Sequence, residues 1–138
     1  MECTPIENPL QSLEASEKLR NWIIGAVKRS NGRQNFQTVA RELADKKAHL
    51  WVVYDDDGRE AGLLVTDYQQ YPTGVVWLNV RIGTGSMEAC ECAIETLKEF
   101  SKDRGFAGVE GVARTGWARI GKKHGFKETH RFLEYANV

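Results

Sequence analysis

The chain has 138 residues, 41% of them hydrophobic, and it carries 19 basic and 19 acidic side chains. This size and apolar fraction predict one domain over residues 1–138 with one core. The balanced charge argues against binding to nucleic acid, and the lack of a long apolar run argues against a membrane span. Cys3, Cys90 and Cys92 are too few for a disulfide framework, so we expect reduced thiols and a cytoplasmic protein.

The first part of the chain predicts a short strand followed by two helices. Residues 2–7 form a weak strand pattern, which Pro5 would confine to a sheet edge. Apolar residues at helical spacing predict one helix over about 10–28. A loop over 29–35 and a second helix over about 36–47 follow.

The middle of the chain predicts strands over 49–54, 61–68 and 75–82, joined by turns. The first turn contains consecutive aspartates, Asp55–Asp57. A calcium loop needs further oxygen ligands at spaced positions and a late glutamate, which do not follow here. These aspartates therefore predict a solvated hairpin turn, and we predict no metal site in the chain.

The last part of the chain predicts helices alternating with strands. A helix begins after Gly85 and ends near Arg104, where a glycine follows. A strand over 106–112 and a short helix over 117–124 come next. Residues 126–137 predict one or two final strands.

This element order predicts an α/β (α+β) fold. A meander of antiparallel strands precedes a strand–helix–strand crossover, so we expect a mixed, mainly antiparallel sheet with helices on both faces. Ligands of such sheets bind at the carboxyl ends of strands, where the strand order changes. The candidate site therefore lies at residues 83–87.

A glycine pattern marks this point of the chain. Gly83 and Gly85 lie between the predicted strand and helix, and Ser86 is a good N-cap for that helix. Glycines let the backbone approach a ligand closely, and the free N–H groups of a first helical turn point at it. The pattern indicates a phosphate-binding turn; the alternative, that these glycines only shape the turn, stays open.

The element order and two local motifs resemble the GNAT acetyltransferase superfamily. The first motif is VRIGTG, residues 80–85; the family has Arg or Gln, two residues, Gly, one residue, then Gly or Ala. The glycine spacing fits, with Val80 at the Arg or Gln position and Arg81 one position later. The second motif is Gly125-Phe126, which closes the short last helix.

The chain looks most like the small GNAT-like proteins that tailed bacteriophages encode. This likeness rests on Leu50–Val53, Arg114–Arg119 and Lys122–Phe126. The resemblance covers nearly the whole chain from Leu10 onward and implies one GNAT-like domain. For a phage protein it implies the host cytoplasm, with association with the virion left open.

The resemblance implies that acetyl-coenzyme A binds in a cleft where two neighbouring strands splay apart. Backbone amides of the family's glycine turn hold the pyrophosphate, and the matching residues here are Val80, Arg81, Ile82, Gly83, Thr84, Gly85 and Ser86. In the family, a tyrosine four residues before the Gly of Gly-Phe often protonates the departing thiolate. The matching residue is Gly121, which has no side-chain proton to give.

An acetyltransferase also needs a base for the amine and a donor to the leaving sulfur. Glu110 is one catalytic candidate, acting as a base through water; the alternative is an outward-facing strand carboxylate. His124 is the other candidate; the alternative is a helix-end residue beside the negative pole of the helix dipole. Trp117, with Arg114, predicts either an exposed recognition surface or the core anchor of the short helix.

Two functions therefore remain open. The first is an N-acetyltransferase that transfers the acetyl group of acetyl-coenzyme A to an unidentified amine. The second is a catalytically degenerate protein of the same fold that binds a protein partner in phage assembly or host takeover, which Val80 and Gly121 favour. Neither function involves nucleic acid or a membrane, and a homodimer is an open alternative for both.

Overall fold

The computed structural model describes residues 1–137. Over these residues the chain forms five β-strands and five α-helices, with a 3-10 turn at Lys28–Ser30 after the second helix. In chain order the elements are β1 (Glu2–Pro5), α1 (Pro9–Ala15), α2 (Glu17–Val27), α3 (Phe36–Ala44), β2 (His49–Tyr54), β3 (Glu60–Gln70), β4 (Val76–Gly85), α4 (Met87–Asp103), β5 (Gly108–Gly111) and α5 (Thr115–Lys123).

The strands form one sheet in the order β1-β2-β3-β4-β5. Neighbouring strands from β1 to β4 are antiparallel, whereas β4 and β5 run parallel, with Trp77 beside Gly108. The parallel pair follows from the α4 crossover, since a helix between two paired strands returns the chain in the same direction. The predicted mixed, mainly antiparallel sheet is confirmed.

The two faces of the sheet are covered by different helices. Side chains of α1, α2 and α3 pack on one face, which includes Leu50, Val52, Leu63 and Val65. Side chains of α4 pack on the other, which includes Trp51, Val53, Leu64 and Leu78. The alternation along β2 and β3 is the period of two that a sheet buried on both faces requires. The prediction of helices on both faces is confirmed.

The helix predicted over 10–28 is two helices, because the chain breaks at Ser16. This residue has extended backbone angles, φ −123° and ψ 107°. Its hydroxyl accepts a hydrogen bond from the Leu19 N–H (3.2 Å) and donates one to Glu60 (2.8 Å). Serine makes such local bonds readily, so it caps the second helix instead of continuing the first.

Strand β4 extends through the glycines that the sequence placed in a turn. It pairs with β3 as far as Gly85, which lies opposite Gly62. A Cβ at Gly85 would lie 2.5 Å from the Ala61 carbonyl oxygen, and the φ of Gly85 is +135°. Only glycine fits this close approach of two backbones. The turn predicted at this point is therefore a strand end, followed directly by Ser86 and α4.

Residues 126–137 contain no strand, so the prediction of one or two final strands was wrong. Phe126 packs against the end of α5 and α4. Beyond it, Phe132, Leu133 and Tyr135 are 64%, 89% and 91% exposed. Their β propensity has no effect because no sheet edge pairs with the segment, and strand preference depends on cross-strand packing.

Candidate functional site

A cleft of about 590 Å³ opens where β4 and β5 diverge. The two strands pair only from Trp77 to Val80 on β4 and from Gly108 to Gly111 on β5. Beyond Val80, β4 continues to Gly85 with no partner on its β5 side among residues 1–137, because the chain after Gly111 leaves the sheet for α5. The cleft is thus bordered by a strand edge with backbone groups available for hydrogen bonds.

Several segments distant in sequence line the cleft. They are the end of α2 and the loop after it, Leu64 of β3, the second half of β4, inward residues of α4, β5 with the loop after it, α5, and the C-terminal segment. Polar and charged side chains come from most of these segments, namely Arg29, Ser30, Arg33, Gln34, Asn79, Arg81, Glu110, Arg114 and Glu134.

A β-bulge in β4 decides where Arg81 points. Thr66 of β3 lies opposite Val80 and Val65 lies opposite Ile82, so Arg81 is the extra residue. Its guanidinium donates to both oxygens of Glu42 (2.7 and 3.0 Å) and to Gln34 (3.2 Å), and lies 3.7 Å from Asp67. The Arg81 side chain therefore forms an ion pair with Glu42 of α3.

The Arg81 pair is partly shielded from water. The Arg81 side chain is only 13% exposed, and that of Glu42 is 35% exposed. The hydrogen bond from Arg81 lowers the pKa of Glu42, while partial burial opposes this shift. The ion pair of Arg81 with Glu42 thus joins β4 to α3 beside the cleft, which Arg81 lines.

Glu110 lies in the cleft wall on β5, opposite Asn79. Its carboxylate accepts a hydrogen bond from the Tyr71 hydroxyl at 2.6 Å. This bond raises the pKa of Tyr71, since it stabilises the protonated phenol. The neighbouring Asn79 amide donates to Asp67 at 2.9 Å. Glu110 is half-buried and reachable from the cleft, as a general base has to be.

Trp117 packs across the β4 edge at Gly83. A Cβ at Gly83 would lie 2.9 Å from Cζ2 of the indole. Trp117 is half-buried, lines the cleft and packs against core clusters that include Ile94 and Leu97 of α4. It thus anchors α5 while presenting one part of its ring to the cleft.

The predicted coenzyme-binding residues divide between two hollows. Four of them line the cleft, namely Val80, Arg81, Ile82 and Gly83. The other three, Thr84, Gly85 and Ser86, line a separate depression of about 530 Å³ beside Lys18 and Trp22. The Ser86 hydroxyl caps α4 by accepting from the Ala89 N–H at 3.1 Å, as predicted. A coenzyme role for this segment stays a prediction.

His124 does not line the cleft that contains Glu110. Its Nδ1 lies 2.6 Å from Glu95 Oε1 and its Nε2 lies 3.8 Å from Glu91 Oε1, both carboxylates on α4. Its carbonyl accepts a hydrogen bond from Lys98. The hydrogen bond from His124 is the main cause of the lowered pKa of Glu95. The structure therefore places His124 as a bridge between the end of α5 and α4.

Sequence reasoning missed one wall of the cleft. Arg29, Arg33 and Gln34 belong to the segment predicted only as a loop, and Phe132 and Glu134 belong to the segment predicted as strand. The Asn31-Gly32 pair signalled the loop correctly. No local signal could place the C-terminal segment beside it, because the two lie about 100 residues apart in sequence.

Neither a protein-family model nor a curated protein sequence matches the chain. Solved structures match nearly its whole length. A probable acetyltransferase superimposes with a TM-score of 0.72 at 10% identity, covering 100% of this chain and 97% of that one. A predicted acetyltransferase from Clostridium acetobutylicum, solved with acetyl-CoA, gives 0.67 at 13% identity over 97% and 96%. Glucosamine-6-phosphate N-acetyltransferase from Arabidopsis thaliana gives 0.68 at 10% identity over 99% and 98%.

The fold is that of the GNAT acetyltransferases. The GNAT-like fold predicted from the sequence is confirmed. At identities this low the similarity establishes the fold alone, and function has to be argued from the site.

In this GNAT-like fold, Gly121 lies on α5 within the cleft lining. A Cβ at this position would lie 3.4 Å from the Phe126 Cβ, an ordinary van der Waals distance. Because glycine has no side chain, no proton donor comes from this position of α5. Within residues 1–137 no group of three His, Cys, Asp or Glu side chains is arranged to hold a metal ion, and no helix there is long and apolar enough to cross a membrane.

Proposed function

We propose that this chain is a single-domain N-acetyltransferase that uses acetyl-coenzyme A as donor and a primary amine as acceptor. The observation that supports this most directly is the cleft between β4 and β5, with its unpaired strand edge at Arg81–Gly85. The pantetheine arm of acetyl-coenzyme A contains amide groups, which suit a free strand edge as a further strand does. The shared fold supports this proposal, and the cleft is the proposed binding site for the donor.

The donor's phosphates need positive charge and free N–H groups. Arg114 is exposed at the N-terminal end of α5 and lines the cleft. The N–H groups of the first turn of α4 follow Ser86, which lines the separate depression and not the cleft, so we assign the phosphates of a donor bound in the cleft to Arg114. Arg81 is not assigned this role because its guanidinium is held by Glu42.

Glu110 is the proposed general base. The acceptor nitrogen attacks the thioester carbonyl carbon, forming the C–N bond, and the C–S bond then breaks to release coenzyme A as a thiolate. Glu110, directly or through one water, takes the proton that the nitrogen loses. The Tyr71 hydroxyl, 2.6 Å from Glu110, orients that carboxylate.

The leaving thiolate needs no proton donor from α5 in this mechanism. An ordinary thiol has a pKa of about 8.5, so a thiolate is a tolerable leaving group near neutral pH and takes its proton from water. The lack of a proton donor at Gly121 therefore makes release of the thiolate slower than it would be with a donor, but does not prevent it. His124 has no part in it, since it lies against α4 outside the cleft lining.

The proposal is tested by following thiol release from acetyl-coenzyme A with a panel of primary amines, together with the mass of the acetylated product. Amine-dependent thiol release that Glu110→Gln suppresses is the expected result. Thiol release without an acetylated amine would show hydrolysis only and would refute acetyl transfer.

A second candidate is a protein of the same fold that binds a protein partner and transfers no acetyl group. Gly121 favours it, because the position offers no proton, and so does the Trp117 ring against Gly83. The sequence resemblance to small phage proteins implies such a role in assembly or host takeover. Acetyl-coenzyme A that does not bind at millimolar concentration would favour this candidate over the transferase.

A further inference from the structure

The C-terminal segment and the loop after α2 meet at the cleft through one carboxylate. Glu134 Oε2 accepts a hydrogen bond from Arg33 Nη1 at 2.6 Å, and Glu134 Oε1 accepts one from Asn31 Nδ2 at 3.4 Å. The Arg33 guanidinium lies over the Phe132 ring, 5.2 Å from its centroid. Arg33, Phe132 and Glu134 all line the cleft. A carboxylate is thus held between two donor side chains at the cleft wall.

The donors exceed what Glu134 needs. An arginine guanidinium carries five N–H donors in a planar fork. Arg33 Nη1 donates to Glu134 and to the Ser30 carbonyl (3.2 Å), which leaves the donors on Nη2 and Nε. Arg29 lines the same wall, and within residues 1–137 it forms no ion pair. This part of the cleft therefore keeps an excess of positive charge while Glu134 is in place.

Glu134 is easily displaced from this position. Its side chain is 44% exposed and that of Arg33 is 51% exposed, and exposed ion pairs are weak. The segment that carries Glu134 forms no strand within residues 126–137. Release of Glu134 would leave the donors of Arg33 facing the cleft, with the Asn31 amide that also contacts Glu134 beside them.

We propose that Asn31 and Arg33 form an anion subsite for the acceptor, that the acceptor amine therefore also carries a carboxylate or phosphate group, and that Glu134 occupies the subsite until the acceptor binds. The acceptor part rests on the proposed function, because its amine has to reach Glu110 in the same cleft. The bound carboxylate of Glu134 is the chain's own example of the chemistry that this subsite accepts.

The subsite is tested first without any acceptor. Acetate and inorganic phosphate are titrated separately into the full chain, and the Arg33 side-chain N–H resonance is followed by NMR. Glu134→Gln is expected to tighten anion binding about five-fold, which is what removal of a weak internal competitor predicts. Glu128→Gln is the matched control: Glu128 is in the same segment, pairs with Lys122 and Arg131, and does not line the cleft. Glu128→Gln is expected to leave the affinity for both anions unchanged.

Whichever of acetate and phosphate binds with the higher affinity identifies the anionic group of the acceptor as a carboxylate or a phosphate. Two further substitutions are made in the Glu134→Gln protein, and anion binding is then followed by the NMR resonances of other residues in the loop. Arg33→Ala is expected to abolish anion binding, and Arg33→Lys is expected to retain part of it. Equal anion affinity in the wild type and in Glu134→Gln would overturn the subsite, and so would binding that survives Arg33→Ala.

The acceptor role is tested with matched amines, β-alanine against its amide and phosphoethanolamine against ethanolamine. The anionic member of a pair is expected to have the lower KM, and Glu134→Gln is expected to lower that KM about five-fold with kcat unchanged. No preference within either pair would overturn the acceptor role. Calorimetry with acetyl-coenzyme A separates the two proposals: no donor binding refutes the proposed function, whereas donor binding weakened by Arg33→Ala refutes the assignment of Arg33 to the acceptor.

Discussion

The indole of Trp117 lies directly against Gly83, so that a Cβ built on Gly83 would be 2.9 Å from its Cζ2 atom. Trp117 belongs to α5, and Gly83 belongs to the part of β4 that continues beyond β5. The contact therefore joins the two elements that border the cleft. Any molecule that pairs with the β4 edge at Gly83 meets the Trp117 ring.

This contact predicts that Gly83 and Trp117 are energetically coupled. Gly83→Ala should destabilise the fold by about 1–2 kcal/mol, because the methyl group overpacks against the ring. Trp117→Leu removes the obstacle, so the double variant should be about 1 kcal/mol more stable than the sum of the single effects. Urea unfolding of the four proteins measures this. Strictly additive effects would mean that the ring does not pack on Gly83.

The backbone geometry of the fold requires glycine at position 85. Gly85→Ala should cost more than about 3 kcal/mol, because its Cβ would lie 2.5 Å from the Ala61 carbonyl at a φ of +135°. Gly116→Ala is the matched control, since a Cβ there meets nothing within 4 Å; it should change stability by less than about 1 kcal/mol. Thermal unfolding compares them. A well-folded Gly85→Ala protein would contradict the strand pairing of Gly85 with Gly62.

The Arg81–Glu42 pair should matter much more for stability than the Arg33–Glu134 pair. Arg81→Met leaves the partly buried carboxylates of Glu42 and Asp67 without their cation, which should cost about 2 kcal/mol. Arg33→Met breaks a pair whose side chains are both more than 40% exposed, so its cost should be much smaller. Urea unfolding at neutral pH gives both values, and equal costs would contradict the burial difference.

The same pair predicts how stability depends on pH. Arg81 lowers the pKa of Glu42 in the folded state, so the pair stabilises the fold above the unfolded-state pKa of about 4.3. That stability is lost as pH falls through the lower pKa of the folded state. The difference in unfolding free energy between wild type and Arg81→Met should therefore be constant above about pH 5 and shrink below it. A difference that grew on acidification would contradict the assigned direction.

Glu110 and His124 should behave differently in catalysis. Glu110→Gln should lower kcat by about 100-fold or more while leaving acetyl-coenzyme A affinity unchanged, because it removes the proposed base and no donor contact. His124→Gln should change kcat by less than about two-fold, since His124 contacts Glu95 and not the cleft. Steady-state kinetics with any accepted amine decides between them. The reverse ranking would place the catalytic base at α5.

The local chemistry of the sequence was sufficient for most of the fold. The strand His49–Tyr54 follows from β-branched and aromatic residues, and Ser86 caps α4 as its hydroxyl predicts. The break at Ser16 carried a recognisable signal, a good N-cap residue inside an apolar stripe. The apolar residues on both sides of Ser16 keep the spacing of one helix, so the break was not predicted.

The site depended on contacts that no local pattern contains. The sequence predicted a coenzyme role for the backbone at Arg81, but it could not predict that the bulge turns the Arg81 side chain to Glu42, 39 residues away. Glu110 is brought to Tyr71, also 39 residues away, by the pairing of β4 with β5. The C-terminal segment has strand-forming residues, but within the described residues it pairs with no sheet edge, and Glu134 contacts Arg33 instead.

The central claim, that the cleft between β4 and β5 binds acetyl-coenzyme A, is tested most directly by calorimetry on three proteins. They are the wild type, Ala113→Trp and Ala107→Trp; both alanines are exposed, but only Ala113 lines the cleft. We expect micromolar binding to the wild type and to Ala107→Trp, and at least about ten-fold weaker binding to Ala113→Trp. No binding to the wild type at millimolar concentration, or equal binding to all three proteins, would contradict the claim.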